Sequence, residues 1–299
     1  MSAVRLVLLV VFAACGVAIV PCEAARGIKA SDDLLAIKVE KDITYATVDE
    51  QKLQFDIAMP KEGGPYPCIV CLHGGAWKFG HRKDLSKVIE AIAARGYVVV
   101  TASYRLAPKA KFPAQIEDAR AVVKFLRKNA KTYNLDPDKI GAMGYSAGAH
   151  LSLLLGVTDK SDGLEGPLLP DVSGRVQAVV SFFGPTDMSL YSTSPGLEDA
   201  YMVPFLGPDV KTDPKVYKRA SPIEYVTKDD PPILMIHGTF DFIVPIIHSE
   251  RMLKKLEEAG VTAELIKVRG EGHGFTGPIN IKTLEDAIKF FDKHLKGKK

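Results

Sequence analysis

Apolar and polar positions change period along this chain, and the changes mark out its elements. Between residues 43 and 48, and again between 53 and 59, apolar residues alternate with polar ones, the period-2 pattern of a surface hairpin. From Cys68 onward the alternation gives way to short apolar runs: Cys68-Ile69-Val70-Cys71-Leu72, residues 140–143, Ile233-Leu234-Met235-Ile236 and residues 263–268. Strands covered on both faces read this way. Helical spacing fills the intervals. After Pro113, which suits a first helical turn, Ile116, Ala119, Val122, Val123 and Leu126 recur three and four residues apart; residues 147–157 predict an apolar helix and 246–259 an amphipathic one. The alternation predicts an α/β fold, a mostly parallel central sheet with helices on both faces.

Two stretches fall outside this rhythm: residues 158–174 and the longer 184–230, rich in Pro, Gly, Ser and Tyr. Long excursions in a compact domain are usually lids or binding loops. The second lies between a strand ending near Phe183 and one beginning near Pro232, so it is expected to form a small lid over the site. Tyr191, Tyr201, Met202 and Phe205 would line a pocket there, or pack into a core of the excursion itself.

Chemistry enters at Gly144-Tyr145-Ser146-Ala147-Gly148, between an apolar run and an apolar helix. A sharp strand-to-helix turn there would hold a serine hydroxyl clear of the sheet, and the glycines on either side leave room for the close approach of strand and helix. A free serine is a poor nucleophile, so a base and oxyanion donors are required. His237-Gly238-Thr239-Phe240-Asp241 leaves the end of a later strand, and Gly270-Glu271-Gly272-His273-Gly274-Phe275 follows the next. The order Ser146, Asp241, His273 is that of an α/β-hydrolase triad, with Ser146 as nucleophile, His273 as base and Asp241 as its orienting carboxylate. Upstream, His73-Gly74-Gly75-Ala76-Trp77 ends the strand 68–72. Gly74 and Gly75, with Ala147 just after the nucleophile, are the candidate oxyanion N–H donors. His73 reads as a stiffener of that loop, and His150, four residues beyond Ser146, as a packing and hydrogen-bonding residue. Tyr104, Arg105 and Asp118 read as a structural set beneath the loop. Trp77 lines the acyl pocket or packs under the loop; with Tyr145, Tyr191, Tyr201 and Phe205 it completes the candidate substrate contacts.

The motifs HGGAW, SYRLAP with FPA downstream, GYSAG, HGTFD and GEGHGF occur in this order. Over residues 39–295 the chain resembles esterases of the α/β-hydrolase superfamily, in the branch holding hormone-sensitive-lipase-like carboxylesterases and bacterial feruloyl and acetyl-xylan esterases. The resemblance implies a serine carboxylesterase with no metal or organic cofactor. Ala76, where the hormone-sensitive-lipase branch usually carries a further glycine, and Thr239 depart from that branch. HGG followed by one residue and Trp is also similar to arylformamidases, which keeps amide hydrolysis open. A prolyl-oligopeptidase-like amidase and a non-catalytic binding module with a hydrolase fold stay open as well; the first would need a propeller domain, and the second usually lacks a triad member.

Composition bears on where this chemistry happens. A basic start, an apolar run over residues 6–20 and small residues at 22 and 24 predict a secretory signal peptide cleaved after Ala24, leaving 25–299 as one catalytic domain. The expected location is therefore secreted or periplasmic. The apolar run is short for a membrane span, and Pro21 beside Cys22 disfavours a lipoprotein. Cleavage would remove one basic residue, Arg5, and one acidic, Glu23, so the formal charge stays at +3. Dispersed basic residues, with a solvated tail at Lys296, Lys298 and Lys299, point away from nucleic acid, while the resemblance together with secretion implies a small-molecule or oligosaccharide-linked ester as substrate. Cys68 and Cys71, three apart on one strand, face opposite ways, so neither a disulfide nor a metal clamp is expected of them.

Overall fold

The computed structural model of the chain describes residues 34–193 and 195–297, so the signal peptide expected at 1–24 lies outside the described residues. Eight strands form one sheet: β1 (Ile37–Val48), β2 (Gln51–Pro60), β3 (Tyr66–Leu72), β4 (Val98–Ala102), β5 (Leu135–Tyr145), β6 (Ala178–Phe182), β7 (Ile233–Gly238) and β8 (Ala263–Val268). Their spatial order is β1-β2-β4-β3-β5-β6-β7-β8. β1 pairs antiparallel with β2, and β2 with β4; every pairing from β4 through β8 is parallel. Five helices of eight residues or more lie among the described residues: α1 (Ser86–Ala93), α2 (Ala114–Lys128), α3 (Ala147–Val157), α4 (Ile247–Glu258) and α5 (Gly277–Phe291).

The sheet has two apolar faces, as continuous hydrophobic runs require. One carries Val70, Leu72, Val100, Ala142, Val179 and Met235 against α2, α3 and α4; the other carries Ile69, Val99, Met143, Val180 and Ile236 against α1 and α5. Cys68 lies in the first layer and Cys71 in the second, so the two thiols diverge as period-2 geometry demands. Both are free, and burial pushes the Cys68 thiol up to about 12. The hairpin starts six residues earlier than the alternation alone marks, because β1 pairs with β2 from Ile37. Asp136-Pro137-Asp138-Lys139 carries the sequence signals of a turn, yet residues 136–139 fall inside β5. Asp138 N–H bonds Asp136 Oδ1 in a local bend, and the register against β3 shifts there, so the turn chemistry survives as an irregularity in a continuous strand.

The described part of excursion 184–230 folds into short helical turns whose apolar side chains join the main core. Tyr191, Tyr201, Met202, Phe205 and Tyr217 are all buried with it. Strand order then locates the crevice. β3 leads to β4 on one side and β5 returns to the other, so the carboxyl ends of β3 and β5 flank a topological switch point, where loops part and leave room for a ligand.

Three buried histidines make the fold acid-sensitive. His73, His150 and His248 are each at most 2% exposed, and burial, partly opposed by hydrogen bonds and neighbouring carboxylates, lowers each to about 4. The unfolded chain binds these protons near 6.5, the folded one near 4, so protonation favours unfolding. Each histidine contributes stability, on the order of 3 kcal/mol, that is complete above pH 6.5 and lost as pH falls toward 4. The thermal midpoint should drop steeply across that window; a midpoint unchanged from pH 7 to 4.5 in calorimetry would refute this linkage.

Candidate active site

Three loops at the carboxyl edge of the sheet meet at Ser146. The turn from β5 to α3 places Ser146 at φ +53°, ψ −116°, outside the regions a non-glycine residue normally occupies. Its neighbours show why the turn needs glycine. A Cβ on Gly144 would lie 2.3 Å from the Gly148 carbonyl carbon, and one on Gly148 would lie 2.1 Å from Leu72 O. These are backbone atoms that cannot swing aside, so Gly148→Ala should destabilise the protein by about 3 kcal/mol or more. Urea unfolding tests it, and a midpoint equal to that of the parent would contradict such tight packing.

His273 reaches Ser146 from the loop after β8. Its Nε2 lies 2.9 Å from Ser146 Oγ and its Nδ1 2.7 Å from Asp241 Oδ2. A carboxylate only accepts, so Nδ1 carries the proton and Nε2 is left free to accept from the hydroxyl. The loop is held in place by Phe240 N–H on Glu271 O at 2.9 Å, and by the Phe183 ring, which meets the imidazole edge-to-face with centroids 4.8 Å apart. Asp241 is 5% exposed and fully engaged: Oδ1 accepts from the N–H groups of Ile243 and Val244, each at 2.9 Å, and Oδ2 also lies 3.3 Å from His237 Nε2. Burial pushes this carboxyl up, yet the hydrogen bonds from His237, His273 and the Val244 amide outweigh burial and hold it well below the usual carboxylate range. The group facing the imidazole is therefore an anion, able to stabilise a positive charge arriving on His273.

The donors stand on the other side of the hydroxyl. Ala147 opens α3, so its N–H has no intrahelical acceptor. Gly74 passes so close to the elbow that a Cβ on it would lie 3.0 Å from Tyr145 O and 3.5 Å from Ser146 Cβ. Among the described residues none accepts a hydrogen bond from the N–H of Gly74, Gly75 or Ala147. His73 stiffens this loop: Nδ1–H donates to Gly74 O at 2.8 Å, the ring stacks 4.4 Å from Tyr104, and Tyr104 Oη–H donates to His73 O at 2.8 Å. Beneath it Arg105 grips Asp118, with Nε 2.9 Å from Oδ2 and its own backbone N–H 2.8 Å from that oxygen. The arrangement can take a proton from a hydroxyl, hold the resulting imidazolium, and receive an oxyanion on unpaired N–H groups.

Known proteins share this framework. A family model described as BD-FAE matches residues 55–256, from β2 through most of α4. The chain belongs to the BD-FAE family. This BD-FAE chain is 32% identical over 218 residues to the esterase LipC of Mycobacterium tuberculosis, spanning 71% of its own length and 53% of that protein. It spans about half the length of the first curated relatives it matches. A solved structure described as a truncated carbohydrate esterase from gut microbiota superposes with a TM-score of 0.77 at 32% identity, over 88% of this chain and 98% of that one. Esterase 2 of Thermogutta terrifontis, solved with propionate bound, gives a TM-score of 0.72 at 26% identity, over 85% and 94%.

Of the candidate substrate contacts of the BD-FAE chain, Trp77, Tyr191, Tyr201 and Phe205 are buried and Tyr145 is half-buried. Trp77 is 2% exposed and stacked 4.1 Å from Phe205, Tyr191 and Tyr201 are buried with the core, and the Tyr145 ring lies against Phe182 at 4.6 Å. Packed together, these apolar rings gain more from one another than from solvent. His237 and Phe183 are site residues that pattern reading did not single out. His237 was visible as the partner four residues before Asp241 in HGTFD; Nε2–H donates to Val244 O at 2.8 Å and Nδ1 accepts from Ser249 Oγ at 2.7 Å. Phe183 carried no signal, since its approach to His273 depends on two distant loops.

Proposed function

We propose that this protein is a serine carboxylesterase that hydrolyses small carboxylic esters through an acyl-enzyme. The observation that carries the reading is the unbroken chain from Ser146 Oγ to His273 Nε2 at 2.9 Å and from His273 Nδ1 to Asp241 Oδ2 at 2.7 Å, beside three N–H groups that have no acceptor among the described residues. Ser146 attacks the ester carbonyl carbon while His273 Nε2 takes the hydroxyl proton. The carbonyl oxygen becomes an oxyanion bonded by the N–H groups of Gly74, Gly75 and Ala147. Collapse breaks the bond to the alcohol oxygen, which leaves with the proton from His273. Water then attacks the acyl-serine with His273 again as base, and the acid departs as Ser146 Oγ recovers its proton.

The substrate class we propose is acetyl, feruloyl or similar small acyl esters of plant polysaccharide, met outside the cytoplasm after loss of residues 1–24. Support comes from a structural neighbour that carries the name carbohydrate esterase and from another, of Bacteroides eggerthii, described as a bifunctional GH43-CE. Propionate in Thermogutta terrifontis esterase 2 supports a short acyl group. Purified protein assayed on acetyl, butyryl, octanoyl and feruloyl esters, beside the matching anilides, tests this. Esters should turn over, short or feruloyl acyl groups best; turnover of anilides in preference to every ester would reject the reading.

A further inference from the structure

Gly75, Ala76 and Trp77 are consecutive residues with φ of +115°, +53° and +57°. Left-handed backbone is unfavourable for residues with a Cβ, above all for a bulky one, and persists only where surrounding contacts over-determine it. Trp77 supplies those contacts. Its carbonyl accepts from Ala107 N–H at 2.8 Å, and its ring lies parallel to Phe205 with an interplanar angle of 6°. Its indole Nε1–H donates to His150 Nδ1 at 3.1 Å, and His150 Nε2 lies 2.7 Å from Ala220 O. An indole nitrogen only donates and a carbonyl only accepts, so one neutral tautomer of His150 satisfies both neighbours. Burial, which lowers His150 to about 4, keeps the ring in that neutral form at pH 7.

The placement of these contacts bears on the oxyanion donors. Trp77 belongs to the loop of Gly74 and Gly75, His150 to the first turn of α3 behind Ala147, and Ala220 to excursion 184–230. One hydrogen-bonded chain therefore spans the two halves of the donor set and ties both to the excursion. Lys78 Nζ, bonded to Ala200 O at 3.0 Å, fastens the same loop to the same excursion. We propose that Trp77 and His150 are positioning residues, whose indole-to-imidazole bond sets the separation of the Gly74 and Gly75 N–H groups from that of Ala147 and so completes the oxyanion hole. The proposal rests on the serine-esterase reading. A ground-state carbonyl gains little from well-spaced donors, and a tetrahedral oxyanion gains much, so losing the bond should lower kcat and leave KM in place.

The test uses Trp77→Phe, which keeps a ring in the stack and removes the donor, His150→Leu, which removes both ring nitrogens, and His150→Asn, whose side-chain oxygen can still accept from the indole. Each is assayed on an acetyl ester, for binding of an aryl trifluoromethyl ketone as oxyanion mimic, and for thermal midpoint. Trp77→Phe and His150→Leu should lower kcat by roughly 10- to 100-fold, weaken the ketone by a similar factor and change KM by less than about 3-fold. His150→Asn should retain kcat within about 3-fold, and the double variant should be no slower than the worse single one. Unchanged kcat in Trp77→Phe, a loss confined to KM, or a slower variant that binds the ketone normally would overturn the inference. Should His150→Leu fail to fold, Trp77→Phe alone decides. A Ser146→Ala control that kept turnover would sink the esterase reading instead.

Discussion

Ser146→Ala should lower kcat on p-nitrophenyl acetate by at least about 10³-fold while the protein stays folded. The substitution keeps Cβ, so the left-handed elbow and the tight passage of Gly144 and Gly148 are untouched. Only Oγ is lost. His273 Nε2 then faces no hydroxyl, and the step that forms the new carbon–oxygen bond has no nucleophile from the protein. The residual rate reflects the donors at Gly74, Gly75 and Ala147, which still polarise a bound carbonyl for attack by water. Steady-state kinetics, with circular dichroism as the folding control and a fluorophosphonate as a covalent label, make the check. Near-normal turnover, or labelling that survives the substitution, would mean that the nucleophile lies elsewhere.

Asp241→Asn should cost about 10³- to 10⁴-fold in kcat, by a different route. The carboxylate accepts three hydrogen bonds, from Ile243 N, Val244 N and His273 Nδ1, and His237 Nε2 lies 3.3 Å from Oδ2. An amide has one oxygen to offer. If that oxygen stays with the two backbone N–H groups, the NH₂ faces His273 Nδ1 and demands an acceptor there, which moves the imidazole proton to Nε2. In that tautomer the ring points a donor at Ser146 Oγ and cannot take its proton. The same NH₂ meets His237 Nε2–H, a donor against a donor in a site without exposure, so some stability goes as well. The anion that would balance the imidazolium is gone too. A variant within tenfold of the parent in kcat, measured at saturating ester, would remove Asp241 from the proton-handling chain.

What was legible along the chain follows from how local each signal is. Residues 147–157 and 263–268 were marked by periodicity with the bounds that α3 and β8 have, because side-chain period is a property of a single element. The elbow was legible because Gly144 answers a steric demand within five residues, against the Gly148 backbone, whereas the demand on Gly148 comes from Leu72 on another strand. The opposite facing of Cys68 and Cys71 needed only the period of one strand. Residues 136–139 misled because turn chemistry is local, whereas inclusion in β5 depends on pairing with β3. Trp77, Tyr191, Tyr201 and Phe205 admitted two readings, since an aromatic ring is equally suited to a pocket wall and to a core. Their burial was decided by where the excursion docks, which involves segments more than a hundred residues apart.

Taken alone, the amino-acid order determined the alternation of strands and helices, the α/β class, and the succession of one serine, one aspartate and one histidine on loops that follow strands. Tertiary structure decided the rest: that His237 shares Asp241 with His273, that Phe183 braces the imidazole, and that Trp77 and Ala220 meet on either side of His150. Periodicity and turn chemistry act over a few neighbouring residues, whereas hydrogen-bond partners of buried rings are chosen by whichever distant segments the packed sheet brings within 3 Å or so.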